Sequence, residues 1–230
     1  MKKRLLIFSL PLLLCGCSRS ITFDEARIML DRFETNVNQM ITFSYFEKKQ
    51  VSTTKNTKIT VFYHVFFDKN YIHYYTVNED NEERINSYVH ETWQYVKDNS
   101  IFLVKNDLSL EHYSNGKSYT KTEFDLELWQ ETLKQEVDNV KDTNLTYINR
   151  ARDYLEDTDT KMKITTESKD EDHLLEKVEL LNDQSTVVRS KSYTFNDSLL
   201  SLVEEFDENS TTEIKYVYSV TTQQLLYPDI

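Results

Sequence analysis

Residues 59–77, ITVFYHVFFDKNYIHYYTV, decide the fold class. Two runs dense in β-branched and aromatic side chains, 59–67 and 71–77, flank Asp68-Lys69-Asn70. That pattern predicts a β-hairpin. With a short turn near Lys69-Asn70, His73 falls opposite about Phe66, one same-face step from His64. In the first run Val61, Tyr63, Val65 and Phe67 alternate with Phe62, His64 and Phe66, so both sets are apolar or aromatic. A half-exposed strand is polar on one face, so both faces of this hairpin are expected to be covered. Either helices and a second layer cover them, or one face lines an apolar ligand cavity or a partner surface.

The strand period extends on both sides of the hairpin. Ile41, Phe43 and Tyr45 alternate with polar residues, and further strands are predicted at 84–90, 93–97, 101–104 and 108–113. Asn115-Gly116, the chain's one Asn-Gly pair, reads as a type I′ turn. Before the strands, Thr22 and Glu25 form a capping-box signature, with Phe23, Ala26, Leu30, Phe33, Val37 and Met40 at spacings of three and four. This predicts an amphipathic helix of about 18 residues. A helical zone over 122–142 carries Trp129, Leu133, Val137 and Val140 on one face, and a second short helix covers 145–155. Strands resume at 162–166, 174–181, 187–195, 199–206 and 213–220, parted by acidic turns such as Asn182-Asp183 and Asn196-Asp197. A spacing of roughly ten residues per strand and turn fits an antiparallel meander.

The predicted class is therefore α+β: a large curved antiparallel sheet, half-barrel-like, packed on an N-terminal helix and a central helix pair. No βαβ alternation appears, which excludes a parallel sheet. Residues 22–230 read as one domain. The halves 21–120 and 122–220 each run helix then meander, which is either a weak duplication or one continuous sheet.

The first residues set the address. Lys2, Lys3 and Arg4 precede an apolar run over 5–14, and Leu14-Cys15-Gly16-Cys17 closes it. The run is too short to span a bilayer permanently and reads as a signal peptide over 1–16. The ending resembles the lipobox of bacterial lipoproteins, in which Leu14 and Gly16 are recognised by the signal peptidase and Cys17 is diacylated. Two acyl chains, at about 0.8 kcal/mol per buried methylene, make a stable anchor. Residues 17–21 then form a short tether. The implied location is the extracytoplasmic face of a bacterial cell membrane.

The whole chain carries 27 basic and 39 acidic residues, a net of −12, and loss of the three early cations makes it −15. Such a surface repels nucleic acid and anionic headgroups, so no nucleic-acid partner is expected and the lipid alone holds the membrane. With only Gly16 and Gly116 in the chain, no glycine-rich phosphate cradle exists. No G-x-S-x-G nucleophile motif is present, and the five histidines show no ligand spacing for a metal. No cofactor and no catalytic residue is predicted, and the protein is read as a non-enzyme.

In element order the mature chain resembles the LolA/LppX-like lipid- or lipoprotein-carrier proteins, in which a curved sheet wraps helices around an apolar cavity. That resemblance implies an apolar or lipid ligand, and Phe62, Phe66, Tyr74 and Trp129 are the candidate cavity lining. The alternative is an interaction lipoprotein that docks an envelope protein and has no cavity.

Overall fold

A computed structural model describes residues 18–40, 43–80, 88–109, 114–159, 161–218, 225, 227 and 228. The chain forms β1 (Arg19–Ser20), α1 (Phe23–Gln39), β2 (Tyr45–Thr54), β3 (Thr57–Phe66), β4 (Tyr71–Asp80), β5 (Tyr88–Lys97), β6 (Ser100–Ser109) and β7 (Ser114–Glu123). It continues as α2 (Leu126–Glu156), β8 (Met162–Asp170), β9 (His173–Leu181), β10 (Val187–Asn196), β11 (Leu199–Asp207) and β12 (Ser210–Val217). The class is α+β, as the periodicity predicts. All twelve strands join one open antiparallel sheet, in the order β1-β8-β9-β10-β11-β12-β2-β3-β4-β5-β6-β7. Two meanders meet where β12 pairs with β2, Tyr216 opposite Lys48.

The capping box at Thr22 forms as read: Glu25 N–H donates to Thr22 Oγ1, and Thr22 N–H donates to the Glu25 carboxylate at 2.8 Å. Ala26, Leu30, Phe33 and Val37 turn inward. The predicted central helix pair is a single helix, because nothing breaks α2 over its 31 residues. Asn144, at the supposed gap, is fully buried and serves as a tie to the sheet. Its amide donates to Val140 O at 2.9 Å, and its Oδ1 accepts from Leu200 N–H at 2.8 Å. At about 1.5 Å per residue α2 crosses most of the sheet, from Asn70, which accepts from Trp129 Nε1 at 2.8 Å, to Tyr193, whose ring stacks with Tyr154.

Several strand boundaries shift. Residues 101–104 fall within one ten-residue β6, and 93–97 within β5; 41–42, 81–87 and 110–113 lie outside the described residues. Asn115-Gly116 is not a turn. Gly116 sits inside β7, opposite Asp107, with no left-handed φ. β7 is a sheet edge, where a glycine and a polar sequence are tolerated. The β3–β4 connection uses a 3₁₀ turn, Phe67–Lys69, and left-handed Asn70. This four-residue connection moves the register by two, so His64 faces His73 directly and Phe66 faces Tyr71.

The main core lies between the helices and one sheet face. Phe33, Val37, Val140, Ile148, Ala151, Tyr193, Phe195, Leu200 and Val203 fill it, each at most 1% exposed.

Candidate functional site

Directly paired residues of an antiparallel sheet share a face, so the register assigns every strand side chain. Val65 packs on Trp129, and the Tyr63 hydroxyl donates to Glu136 of α2; these odd positions of β3 face the helices. The even positions Phe62, His64 and Phe66 face the other way, toward the outer face. Their neighbours there are Tyr75, His73 and Tyr71 on β4, then Glu91, Trp93 and Tyr95 on β5, and Phe102 and Val104 on β6.

This outer array is dense. His73 stacks on Trp93 with centroids 5.1 Å apart and planes at 10°, and Tyr95 stacks on Phe102 at 5.1 Å and 7°. His64 lies 4.9 Å from both Phe62 and His73. Tyr45, Phe66, Tyr71, Trp93 and Tyr95 form a second buried cluster, and the C-terminal Leu225 packs against it. The Tyr227 ring stands edge-on to Tyr95 at 4.9 Å and to Tyr71 at 5.7 Å, with Lys97 Nζ 5.6 Å over it. Beyond Tyr227 the array continues into half-buried Phe62, His64, His73, Tyr75 and Glu91.

Polar groups within the array are few. His73 Nε2 is 2.8 Å from Glu91 Oε1, and Tyr45 OH donates to Glu47. Neither ring nitrogen of His64 has a partner, although both are sheltered from solvent. Burial first, then the charge of His73, pushes His64 down to about 4. Burial also lowers His73, against the pull of Glu91. Both imidazoles are thus neutral at pH 7. The described residues hold no group of three or more His, Cys, Asp and Glu disposed to bind a metal.

The four residues read as one cavity lining do not share a face. Phe62 and Phe66 (3% exposed) belong to the outer array. Trp129 (2% exposed) is sealed on the helix face with Val65, Ile72 and Ile101, and Tyr74 stands on that same face opposite Tyr63. Leu14, Gly16 and Cys17 lie outside the described residues. Trp93, Tyr95 and Phe102 fall in strands that the sequence predicts, at 93–97 and 101–104. Their alternation was legible, but their pairing onto His73 and Tyr71 depends on register.

Glu176 was also not singled out. It lies on the helix face between Thr166 and Tyr193 and is fully buried, with both carboxylate oxygens unpartnered. Burial pushes its carboxyl up to about 8, so it is largely protonated at neutral pH.

No family model and no curated protein matches the sequence. Among solved structures, the chain is similar to LprF from Mycobacterium bovis, with 12% identity over 91% of this chain and 99% of that one and a TM-score of 0.36. It is also similar to a DUF1329 family protein from Desulfovibrio piger ATCC 29098, with 12% identity over 86% of this chain, 95% of that one and a TM-score of 0.23. Neither likeness bears on what this chain does. No helix among the described residues is long and apolar enough to cross a membrane.

Proposed function

We propose that the protein is an extracytoplasmic lipoprotein, anchored through Cys17, with a non-enzymatic binding role, and that it takes an apolar or lipid ligand on the outer aromatic face of β3–β6. One observation carries the reading: an aromatic array stands on the sheet face away from both helices, and beyond Tyr227 its residues Phe62, His64, His73 and Tyr75 are only half-buried. Phe62, Tyr75 and the His73–Trp93 stack supply apolar contact. His64, neutral and without a partner, offers one donor and one acceptor to a ligand head group. A buried polar atom left unsatisfied costs about 1–3 kcal/mol, so a ligand that pairs with it gains what the empty protein lacks. The helix side is less suited to a ligand, because Phe33, Phe195 and Tyr193 already fill it.

The test is binding of a fluorescent fatty-acyl probe to the wild type and to Phe62→Glu. A carboxylate in place of the Phe62 ring should weaken binding about tenfold or more, since it puts an ion where an acyl chain would lie. Lys177→Glu, on the outer face of β9, should bind as the wild type does. Equal binding by Phe62→Glu and the wild type contradicts the proposal.

A further inference from the structure

The sequence reads 17–21 as a free tether, but from Ser18 onward the backbone is fastened. Ser18 Oγ donates to Glu167 at 2.8 Å. Arg19 and Ser20 pair with Ser168 and Glu167, Ile21 N–H donates to Thr166 O at 3.1 Å, and Thr22 caps α1. Cys17 is the next residue outward. One extended residue spans about 3.5 Å, so a lipid on its sulfur holds β1 and the start of α1 against the bilayer and leaves almost no reach.

Beside that point two large apolar side chains stand in water among charged ones. Ile28, on α1 but outside its inward stripe, is 69% exposed, and Phe23 at the helix start is 41% exposed. Beside Ile28 runs a groove of about 420 Å³, walled by Ile21, Met29 and Ser168 and by the charged side chains of Arg19, Arg32, Glu25, Asp170 and Glu171. The guanidinium groups sit at its rim, Arg19 on Glu25 at 3.5 Å and Arg32 on Glu171 at 2.9 Å, as long cationic side chains do when their stems line an apolar floor.

We propose that this β1–α1 surface docks on the lipid bilayer, with Ile28 and the adjoining groove in the interfacial region, so that the anchored body has one fixed orientation. The proposal rests on the lipid-anchor reading. The position of the chain's exit selects the bilayer as the occupant, because no other partner is obliged to lie within one residue of Ser18.

The test uses the full lipidated chain on phosphatidylcholine vesicles. Single cysteines are placed at Ile28 (I28C) or at exposed Lys55 (K55C) in the β2–β3 turn, at the opposite strand ends, and labelled with bimane. The native Cys17 is acylated and unreactive. Flotation reports the anchor. In floated protein, the label at residue 28 should be quenched by brominated acyl chains and be about threefold less accessible to aqueous iodide than the label at residue 55, as expected for a side chain at interfacial depth. Floated protein with equal iodide quenching at both sites overturns the docking and leaves the anchor intact. Protein that does not float overturns the anchor, and the docking with it.

Discussion

The outer face of the sheet has two unlike halves. Across β9–β12 it carries Lys177, Ser192, Glu204 and Glu213, with Ser192 Oγ donating to Glu204 at 2.9 Å and Lys215 on Glu213 at 2.9 Å. Across β3–β6 the same face carries Phe62, Phe66, Tyr71, Trp93 and Tyr95. Helices cover the opposite face in both halves, Tyr193 and Val203 in one and Val65 in the other. The first half is a two-layer sheet, apolar beneath and largely polar outside, where Leu175, Leu202 and Phe206 are the apolar exceptions. The second half needs a further cover, and among the described residues Leu225 and Tyr227 supply part of it. On the proposed reading, the apolar face that the helices do not use is what makes this half a binding surface.

Substitutions should separate the halves. Trp93→Ala, in the packed aromatic half, should cost about 3–5 kcal/mol in urea unfolding. Lys177→Ala in the wet half should stay within about 0.5 kcal/mol. Similar values for the two would dissolve the contrast.

Two of the buried titratable groups, Glu176 and His64, should tilt the pH dependence in opposite directions. The Glu176 carboxyl is raised from 4.5 to about 8 in the folded protein. Between those values the native state keeps a proton that the unfolded chain releases, so stability falls as pH rises through that window and the loss is complete above it. Glu176→Gln should abolish this slope, worth about 3 kcal/mol between pH 4.5 and pH 7. His64 is lowered from 6.5 to about 4. Here the unfolded chain holds the extra proton, so stability falls as pH drops from 6.5 to 4. His64→Phe should remove a slope of about 3 kcal/mol on the acid side. His73, Glu91, Glu47, Tyr45 and Tyr71 surround that ring. Chemical denaturation across pH 4–8 reads both slopes. Between pH 4.5 and 6.5 they oppose, so the wild-type curve should be flatter there than that of either variant.

A smaller effect is expected at the cover. Tyr227→Ala removes the edge contacts to Tyr71 and Tyr95 and should cost about 1 kcal/mol. Loss of near-ultraviolet circular dichroism from the aromatic cluster would accompany it.

Much of the architecture was legible because strong local signals agreed with the final packing. The Thr22 cap formed as read, as did the Ala26–Val37 part of the α1 stripe and the pairing of the two hairpin runs, although Phe23 is exposed and the hairpin register moved by two. β2 (YFEKKQVSTT) and β7 (SNGKSYTKTE) were not recognised as ten-residue strands, since few of their side chains are apolar. β2 gains its place from partners on both sides, β12 and β3, and β7 from one, β6. The single helix α2 was hidden by Asn144, a poor helix former whose Oδ1 is held by Leu200 on another element. The candidate site was half legible. Aromatic density marked Phe62 and Phe66, but whether Tyr74 and Trp129 joined them depended on face. A two-residue change in hairpin length reset every cross-strand neighbour, and loop length is the least readable part of a β-sheet pattern.

The chain holds two tryptophans, Trp93 on the aromatic outer face and Trp129 on the helix face. Titration of Trp129→Phe and Trp93→Phe with a brominated fatty acid therefore tests the central claim directly. The account predicts saturable quenching of Trp93 and none of Trp129. Quenching of Trp129 alone, or of neither, would contradict it.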